Sequence, residues 1–504
     1  MFPRFAKGGI AWLERAPVSE TSTRREPALS TLSGSSGRRS GRWWSVLPFV
    51  ILLPLFYLFA WENGERSNSG MSEKGYPVIF DHDQHSYLNM GKMMRLSDYQ
   101  RVVPRHRMPG YAFLLSLLYV ESDAYERTSD EDPRNISPEY FSRAKHFNIA
   151  LSLLSVVAVY FVCRRFLPKV ESHLVTWSFA WLVAVIRAPY VQPEIAFYVL
   201  FLIGFVALWQ LIVKPRWWLA PVAALALAAA FLLKSTVVPL MALFLVAAIA
   251  KSVLLLYRGL RNRTPEAWGP PVKQLAVAFA VPVCFAFLLL PYFRHTAEMY
   301  GSALWDAHSQ HYMWMDSDAE KRFWRNAGVS EPDFVVPPDK VLPTFSSYLQ
   351  THDAQEMVRR VSVGWKHTRN MIRDRYRSFD FLVRRFAPLL LLVLALVSWR
   401  RTRQILREHW AEALLVFGFF AGYGLLYSWY EAIGVGPRLC LALFLPALFF
   451  AMLAIHRLAE PVVLRIYRWQ TPLRHVINGM MLAVLILGAF GVVAKDLWVV
   501  EGGR

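Results

Sequence analysis

The residues of this sequence that could carry chemistry lie in short polar clusters between long apolar runs. One cluster, Asp81-His82-Asp83-Gln84-His85, precedes the segment Tyr87 to Met94, whose apolar residues recur at the spacing of an amphipathic surface helix. Asp81 and Asp83 at the start of this helix favour an N-cap that also satisfies the helix dipole. The same carboxylates and imidazoles are a candidate site for a divalent cation such as Mg²⁺ or Mn²⁺, although their spacing matches no standard motif.

A second cluster, Arg105-His106-Arg107-Met108-Pro109-Gly110-Tyr111, leads into the apolar stretch Ala112 to Val120. This stretch is too short to cross a bilayer and predicts an interfacial or re-entrant helix. Two interpretations of Arg107 are open. Its guanidinium either contacts lipid headgroups or binds a phosphate, for which its planar geometry is well suited.

Three further charges stand at the ends of apolar runs: Glu194, Lys234 and Arg438. Lys234 and Arg438 have long stems, so they either extend to the membrane surface or face a polar cavity. Glu194 has a shorter stem, which favours a cavity. His308 and His311, in a later loop, are interpreted as ordinary loop residues because nothing completes a ligand set around them.

The elements that must position these residues are transmembrane helices. The chain has 504 residues, of which 55% are hydrophobic and 18% are charged, whereas soluble domains hold about 25% charged residues. The apolar residues are bunched in runs long enough to cross the bilayer as helices. The fold class predicted is an all-α polytopic membrane protein with about eleven spans, near 43–60, 146–163, 172–190, 194–213, 217–233, 235–256, 271–292, 384–399, 411–430, 438–456 and 476–494.

Short loops rich in Lys and Arg alternate along the chain with short loops that have almost none. This alternation predicts a cytoplasmic N-terminus and places the two large loops outside the cytoplasm. Both loops are expected to carry interfacial helices, and the second ends in a basic amphipathic segment around Trp365. The predicted divisions are a disordered cytoplasmic tail 1–42, a transmembrane module 43–292 that includes external loop 61–145, an external loop 293–383 and C-terminal helices 384–504.

The formal charge of +19 raises the possibility of a nucleic-acid partner. Most of the Lys and Arg residues, however, stand just beyond apolar runs, which is how basic loops are arranged on an anionic membrane face. We therefore predict the lipid bilayer, and no nucleic acid, as the partner of this charge. Cys163, Cys284 and Cys440 fall within separate apolar spans and are interpreted as buried hydrophobes.

Asp83-x-x-x-Tyr87-Leu88, followed by Arg107-x-Pro109-Gly110-Tyr111, resembles the first external loop of the GT-C glycosyltransferase superfamily. The bacterial branch with a domain like that of dolichyl-phosphate-mannose-protein mannosyltransferases is the most similar. Its members also have counterparts of Glu194, Lys234 and Arg438. The sequence departs from the usual pattern at Gln84, Gly91 and Leu439.

The resemblance implies an inverting glycosyltransferase, in a bacterial inner membrane, that uses a polyprenyl-phosphate sugar and a lipid, glycan or protein acceptor. Asp83 would be the catalytic base, with Arg438, Lys234 and Arg107 on the phosphate side. Tyr87 and Glu194 would also bind substrate, and Asp81 would help to hold a divalent ion if one is used.

Two other classes of protein have many spans and a few charges near the membrane. A transporter or flippase of a lipid-linked or amphipathic substrate is the stronger alternative, but the sequence has no internal repeat and its charges stand at span ends. A receptor-like or structural membrane protein would not need its charged residues to converge. The enzyme hypothesis predicts that Asp83, Lys234 and Arg438 line one outward-facing cavity.

Overall fold

The computed structural model describes most of the apolar runs and much of both large loops. The described residues are 40–68, 82–100, 107–120, 136–262, 268–375, 381–397, 399–434, 437–459, 462–466 and 469–498. The predicted disordered tail 1–42 lies almost entirely outside these ranges, as does Asp81.

The N-terminal part of the chain consists of helices in sequence order, two of them short elements of the first large loop. These helices are α1 (Ser40–Asn68), α2 (His82–Leu96), α3 (Pro109–Ser116), α4 (Pro138–Arg164), α5 (Lys169–Phe179), α6 (Val185–Arg187), α7 (Glu194–Val213), α8 (Leu219–Leu233), α9 (Val238–Arg261) and α10 (Gly269–Leu288). A π-helical turn, Ala180–Ala184, joins α5 to α6, and a 3₁₀ turn, Ser235–Val237, precedes α9.

The second large loop is mostly helical. Its elements are α11 (Leu290–Tyr300), α12 (Ala307–Gln310), a 3₁₀ turn (Tyr312–Trp314), α13 (Asp318–Asn326), α14 (Phe345–Thr351) and α15 (Ala354–Arg375). A small hydrophobic core of its own, which includes Trp305, Tyr312 and Trp324, holds the first of these elements together.

The C-terminal part returns to apolar helices. It comprises a π-helical segment (Phe381–Phe386), α16 (Ala387–Leu396), α17 (Trp399–Glu408), α18 (Trp410–Tyr430), 3₁₀ turns at Glu431–Ile433 and Pro437–Leu443, α19 (Phe444–Ala459), strands β1 (Val463–Ile466) and β2 (Trp469–Pro472), and α20 (Leu473–Trp498). The two strands form an antiparallel hairpin in which Val463 pairs with Pro472. The sequence pattern predicts no strand in this segment.

The predicted all-α membrane architecture is confirmed. Each of the eleven predicted spans coincides with helix, and six helices in the described part of the chain are long and apolar enough to cross a bilayer. The limits differ in places. Residues 384–399 contain only the short α16 after a π-helical segment, and the span 172–190 passes through the π turn before α6.

The apolar face of α2 does not lie on a membrane surface as predicted. Tyr87 and Met94 are buried against neighbouring helices, and Gly91 lies so close to α3 and α4 that an added Cβ would stand 2.7 Å from the Tyr140 hydroxyl. Spacing reveals that a helix has an apolar face but not what covers it. Here protein takes the place of lipid.

Helix α15 lies against α18 through a small-residue contact. A Cβ at Gly364 would clash with the carbonyl oxygen of Ser428, so only glycine permits this approach. Trp365, on the apolar face predicted to lie on the membrane, is half exposed beside this contact. The remaining exposed part of its ring is available to the interfacial role that the sequence predicts.

We expect Gly364→Ala to lower the thermal stability of the detergent-solubilised protein, because α15 must move away from α18, at a cost of roughly 1–3 kcal/mol. The matched control is Gly479→Ala in α20, where an added Cβ has no neighbour within 4 Å. Alanine there should leave stability unchanged or raise it slightly, since it is the better helix former. Equal melting temperatures for the two variants would show that the α15–α18 contact contributes nothing.

Candidate functional site

A polar cavity of about 300 Å³ lies where the ends of several apolar helices meet the second large loop. Its lining residues are far apart in sequence. They come from α2, the residues before α3, α7, the α8–α9 connection, the second large loop, α18 and the segment after α18. Its chemically active lining residues are Asp83, Tyr87, Arg107, Glu194, Lys234, Ser235, Asp306, His308, Tyr312, Lys321, Arg325, Tyr427 and Tyr430.

Asp83 and Tyr87 lie one helical turn apart on α2, so both face the cavity. The Arg107 guanidinium forms an ion pair with Asp83 and lies over the Tyr87 ring, 5.1 Å from its centroid. Asp83, in the first turn of α2, thus pairs with the Arg107 cation. Burial raises the pKa of Tyr87 to about 12, so its hydroxyl stays protonated and available as a donor.

Buried contacts fix α2 in this position. The side chain of Gln84 accepts a hydrogen bond of 2.7 Å from the backbone N–H of Val191, just before α7 begins. On α3, a Cβ at Gly110 would stand 2.8 Å from Leu232, so glycine lets α3 reach the end of α8. Gln84, noted above as a departure from the family pattern, is thus a positioning residue that ties Asp83 to the start of α7.

Glu194 is the first residue of α7, and Lys234 follows the last residue of α8 in an extended conformation. The Lys234 ammonium donates to Glu194 Oε1 at 2.9 Å, and both side chains are largely buried. The other oxygen, Glu194 Oε2, is also buried and has no hydrogen-bond partner among the described residues. A buried carboxylate oxygen without a donor is costly, and a hydroxyl group of a bound molecule would satisfy it.

The second large loop forms the opposite wall. Asp306 caps α12 by accepting from the His308 backbone N–H at 3.3 Å, and it also accepts a 2.8 Å hydrogen bond from the Ser235 hydroxyl. Lys321 donates to the Ile433 carbonyl, which attaches the loop to the segment after α18. Burial lowers the pKa of His308, so its imidazole is neutral at neutral pH.

The structure brings five of the seven predicted site residues to this cavity: Asp83, Tyr87, Arg107, Glu194 and Lys234. The backbone of Arg438 lies in the 3₁₀ segment Pro437–Leu443, and the adjacent Leu439 lines the cavity. The side chain of Arg438, like the whole of Asp81, is outside the described part of the structure.

The structure adds residues that the sequence analysis did not assign to the site, namely Asp306, His308, Tyr312, Lys321, Arg325, Tyr427 and Tyr430. Of these, only His308 is noted in the sequence, as an ordinary loop residue; it lines the cavity, whereas His311 does not. Within the described residues, no group of three His, Cys, Asp or Glu side chains is arranged to hold a metal ion.

The buried Glu194–Lys234 pair generates a stability prediction. Lys234→Met leaves the Glu194 carboxylate buried without its cation, and we expect a loss of roughly 3–5 kcal/mol. The double variant Glu194→Gln/Lys234→Met removes both charges and should recover most of that loss. Thermal unfolding in detergent measures both effects. If the double variant is less stable than the single one, the two side chains do not act as a pair.

His308 generates a pH prediction. Because its pKa is lowered in the folded protein, the unfolded chain binds a proton first as the pH falls through about 6.5. The free energy of unfolding therefore declines below that pH. We expect His308→Gln to retain more of its stability than the wild type when thermal unfolding is compared at about pH 7.5 and about pH 5. Identical losses in the two proteins would contradict this assignment.

No protein-family model matches the chain, and no curated protein matches it. Among solved structures, ArnT from Cupriavidus metallidurans in the apo state matches with 13% identity over 78% of each chain and a TM-score of 0.33. The same protein bound to undecaprenyl phosphate matches with 14% identity over 77% of this chain and 78% of ArnT, with a TM-score of 0.29. TM-scores this low support no conclusion about the site.

Proposed function

We propose that this protein is a membrane glycosyltransferase that transfers a sugar from a polyprenyl-phosphate donor to an acceptor hydroxyl on the external face of the membrane. The observation that carries the proposal is the cavity itself. It combines carboxylates, cations and hydroxyl groups at the ends of apolar helices and opens next to an apolar groove. A donor with a polar head and a long hydrocarbon tail needs both environments side by side.

The apolar groove has a volume of about 390 Å³ and runs between α9, α15 and α18. It shares Leu426 with the polar cavity. The two polar groups of its aromatic walls are engaged elsewhere: the Tyr423 hydroxyl donates to the Thr236 carbonyl, and the Trp429 indole N–H donates to the Met313 carbonyl at 2.6 Å. The groove therefore offers hydrocarbon contact alone, which suits an isoprenoid chain.

The cations of the cavity suit the phosphate of such a donor. Lys321 and Arg325 come from α13 and line the cavity. Lys321 is paired with Asp318, just as Arg107 and Lys234 are each paired with a carboxylate. Arg438 adjoins the cavity through Leu439. We assign the phosphate to these cations, because a phosphate that leaves gains negative charge and fixed positive groups stabilise it.

Asp83 is our candidate for the catalytic base. In the proposed step, Asp83 removes the proton from the acceptor hydroxyl as its oxygen forms a bond to the anomeric carbon, and the bond from that carbon to the phosphate oxygen breaks. The products are the new glycoside, protonated Asp83 and the polyprenyl phosphate. Arg107 orients the carboxylate, and Glu194 Oε2 accepts a hydrogen bond from a sugar hydroxyl.

A transporter of the same class of lipid is less well supported. Transporters place ionisable residues near the middle of the bilayer, at broken helices of matching repeats. Glu194 and Lys234 instead stand at the first residue of α7 and just beyond the end of α8. Charges at helix ends favour chemistry at the membrane surface over passage through it.

We expect Asp83→Asn to lower sugar transfer by roughly 10²- to 10⁴-fold, the usual contribution of a general base. The measurement is the release of polyprenyl phosphate from a panel of polyprenyl-phosphate sugars by the purified protein with membrane acceptors. The amide keeps the shape of the side chain, so donor binding should persist while turnover falls.

Asp339→Asn is the matched control, because this carboxylate is 74% exposed and lies outside the cavity. Its turnover should equal that of the wild type. An Asp83→Asn protein that transfers sugar at the wild-type rate removes Asp83 from the role of base. If the wild-type protein releases no polyprenyl phosphate from any donor in the panel, the proposed function is wrong.

A further inference from the structure

A second pocket, here called the basal pocket, lies at the far end of the bundle from the polar cavity. It has a volume of about 370 Å³ and is lined by Arg165, Phe166, Trp209, Gln210, Arg216, Leu453, His456 and Arg457. Helix α7 runs from Glu194 in the cavity to Val213 beside this pocket, a span of 20 residues or about 30 Å. That length equals the hydrocarbon thickness of a bilayer, so the two pockets belong to opposite membrane faces.

Three arginines give the basal pocket its charge. Arg165 caps the end of α4, Arg216 lies between α7 and α8, and Arg457 is near the end of α19. In the described structure none of the three takes part in an ion pair; Glu412 attracts Arg457 only at longer range. The Arg457 guanidinium lies over the Trp209 ring at 5.5 Å, which fixes its position.

The neighbouring histidine adds a polar group to this pocket. His456 lines it, and its Nδ1 atom is buried with no hydrogen-bond partner in the described structure. The nearest carboxylate, Glu171, stands 3.9 Å away and is itself buried. Glu171 is not among the residues that line the pocket, so an oxygen-rich anion there would meet three guanidinium groups and the amide of Gln210.

Two exposed tryptophans indicate the depth of the basal pocket in the membrane. Trp217 and Trp218, which directly follow Arg216, are 56% and 60% exposed, as expected for side chains at the headgroup level. On α4, one turn before Arg165, Phe161 is 68% exposed, as a lipid-facing residue would be. The arginines thus stand where lipid phosphates lie, at the end that the loop charges predict to be cytoplasmic.

We propose that the basal pocket binds the phosphate of an anionic phospholipid headgroup. Guanidinium groups bind phosphate oxygens through paired hydrogen bonds, and basic pockets between helices at the cytoplasmic face are suited to anionic lipids. The acyl chains extend along the apolar surface next to Phe161. This inference does not rest on the glycosyltransferase proposal, because no residue of the pocket lines the polar cavity.

The test measures lipid affinity of the full-length protein by native mass spectrometry in detergent. The probes are dioleoyl phosphatidylglycerol, dioleoyl phosphatidylcholine and glycerol 3-phosphate. We expect phosphatidylglycerol to bind more tightly than phosphatidylcholine, and Arg165→Gln/Arg216→Gln to weaken its binding roughly 30-fold. Both arginines are exposed, so the variant should fold.

The matched control is Arg258→Gln/Arg261→Gln, which removes the same charge from exposed positions at the end of α9. It should bind phosphatidylglycerol as the wild type does. An equal loss of affinity in the two double variants, or equal wild-type affinity for the two lipids, would overturn the proposal. Binding of glycerol 3-phosphate as tight as that of the lipid would assign the pocket to a soluble anion instead.

Discussion

The polar cavity of this membrane protein depends on the buried ion pair between Glu194 and Lys234. A carboxylate and an ammonium each lose several kcal/mol of solvation when they leave water, so neither could occupy the end of an apolar helix alone. Their pairing at 2.9 Å joins the start of α7 to the end of α8 and creates a polar surface inside an apolar bundle. The other charged groups of the cavity lie around that surface. They are the Asp83–Arg107 pair, and Lys321 and Arg325 from the second large loop.

The second large loop completes the cavity because it is attached to the bundle at several points. Arg360 of α15 donates to the Met315 carbonyl at 2.7 Å and to the Trp429 carbonyl at 3.2 Å, which links the loop to itself and to α18. Lys321 reaches the Ile433 carbonyl from the other side. These contacts set the loop over the helix ends and bring the segment that holds Arg438 next to the cavity. Loop and bundle together therefore define one polar chamber, beside a groove that is apolar throughout.

The helices could be predicted because a hydrophobic run is a local feature of the sequence. Each of the eleven segments is apolar enough to need contact with lipid or with other helices. Glu194 and Lys234 could be singled out because ionisable groups are rare at the ends of apolar spans. Asp83 could be singled out because it stands in a polar cluster at the start of a helix. What the sequence could not reveal is partnership over long distances, such as Gln84 with Val191 or Ser235 with Asp306. The apolar stripe of α2 was assigned to the membrane for the same reason, since its periodicity does not distinguish lipid from a neighbouring helix.

In the proposed reaction, one lipid-linked sugar occupies the polar cavity and the apolar groove together. The most direct measurement is a cryo-electron microscopy structure of the protein with a polyprenyl-phosphate sugar bound in a lipid nanodisc. We expect density for the phosphate between Lys234, Lys321 and Arg325, with the sugar next to Asp83 and the isoprenoid chain leaving past Leu426. A donor phosphate bound at any other place on the protein, with the cavity filled only by water, would contradict it.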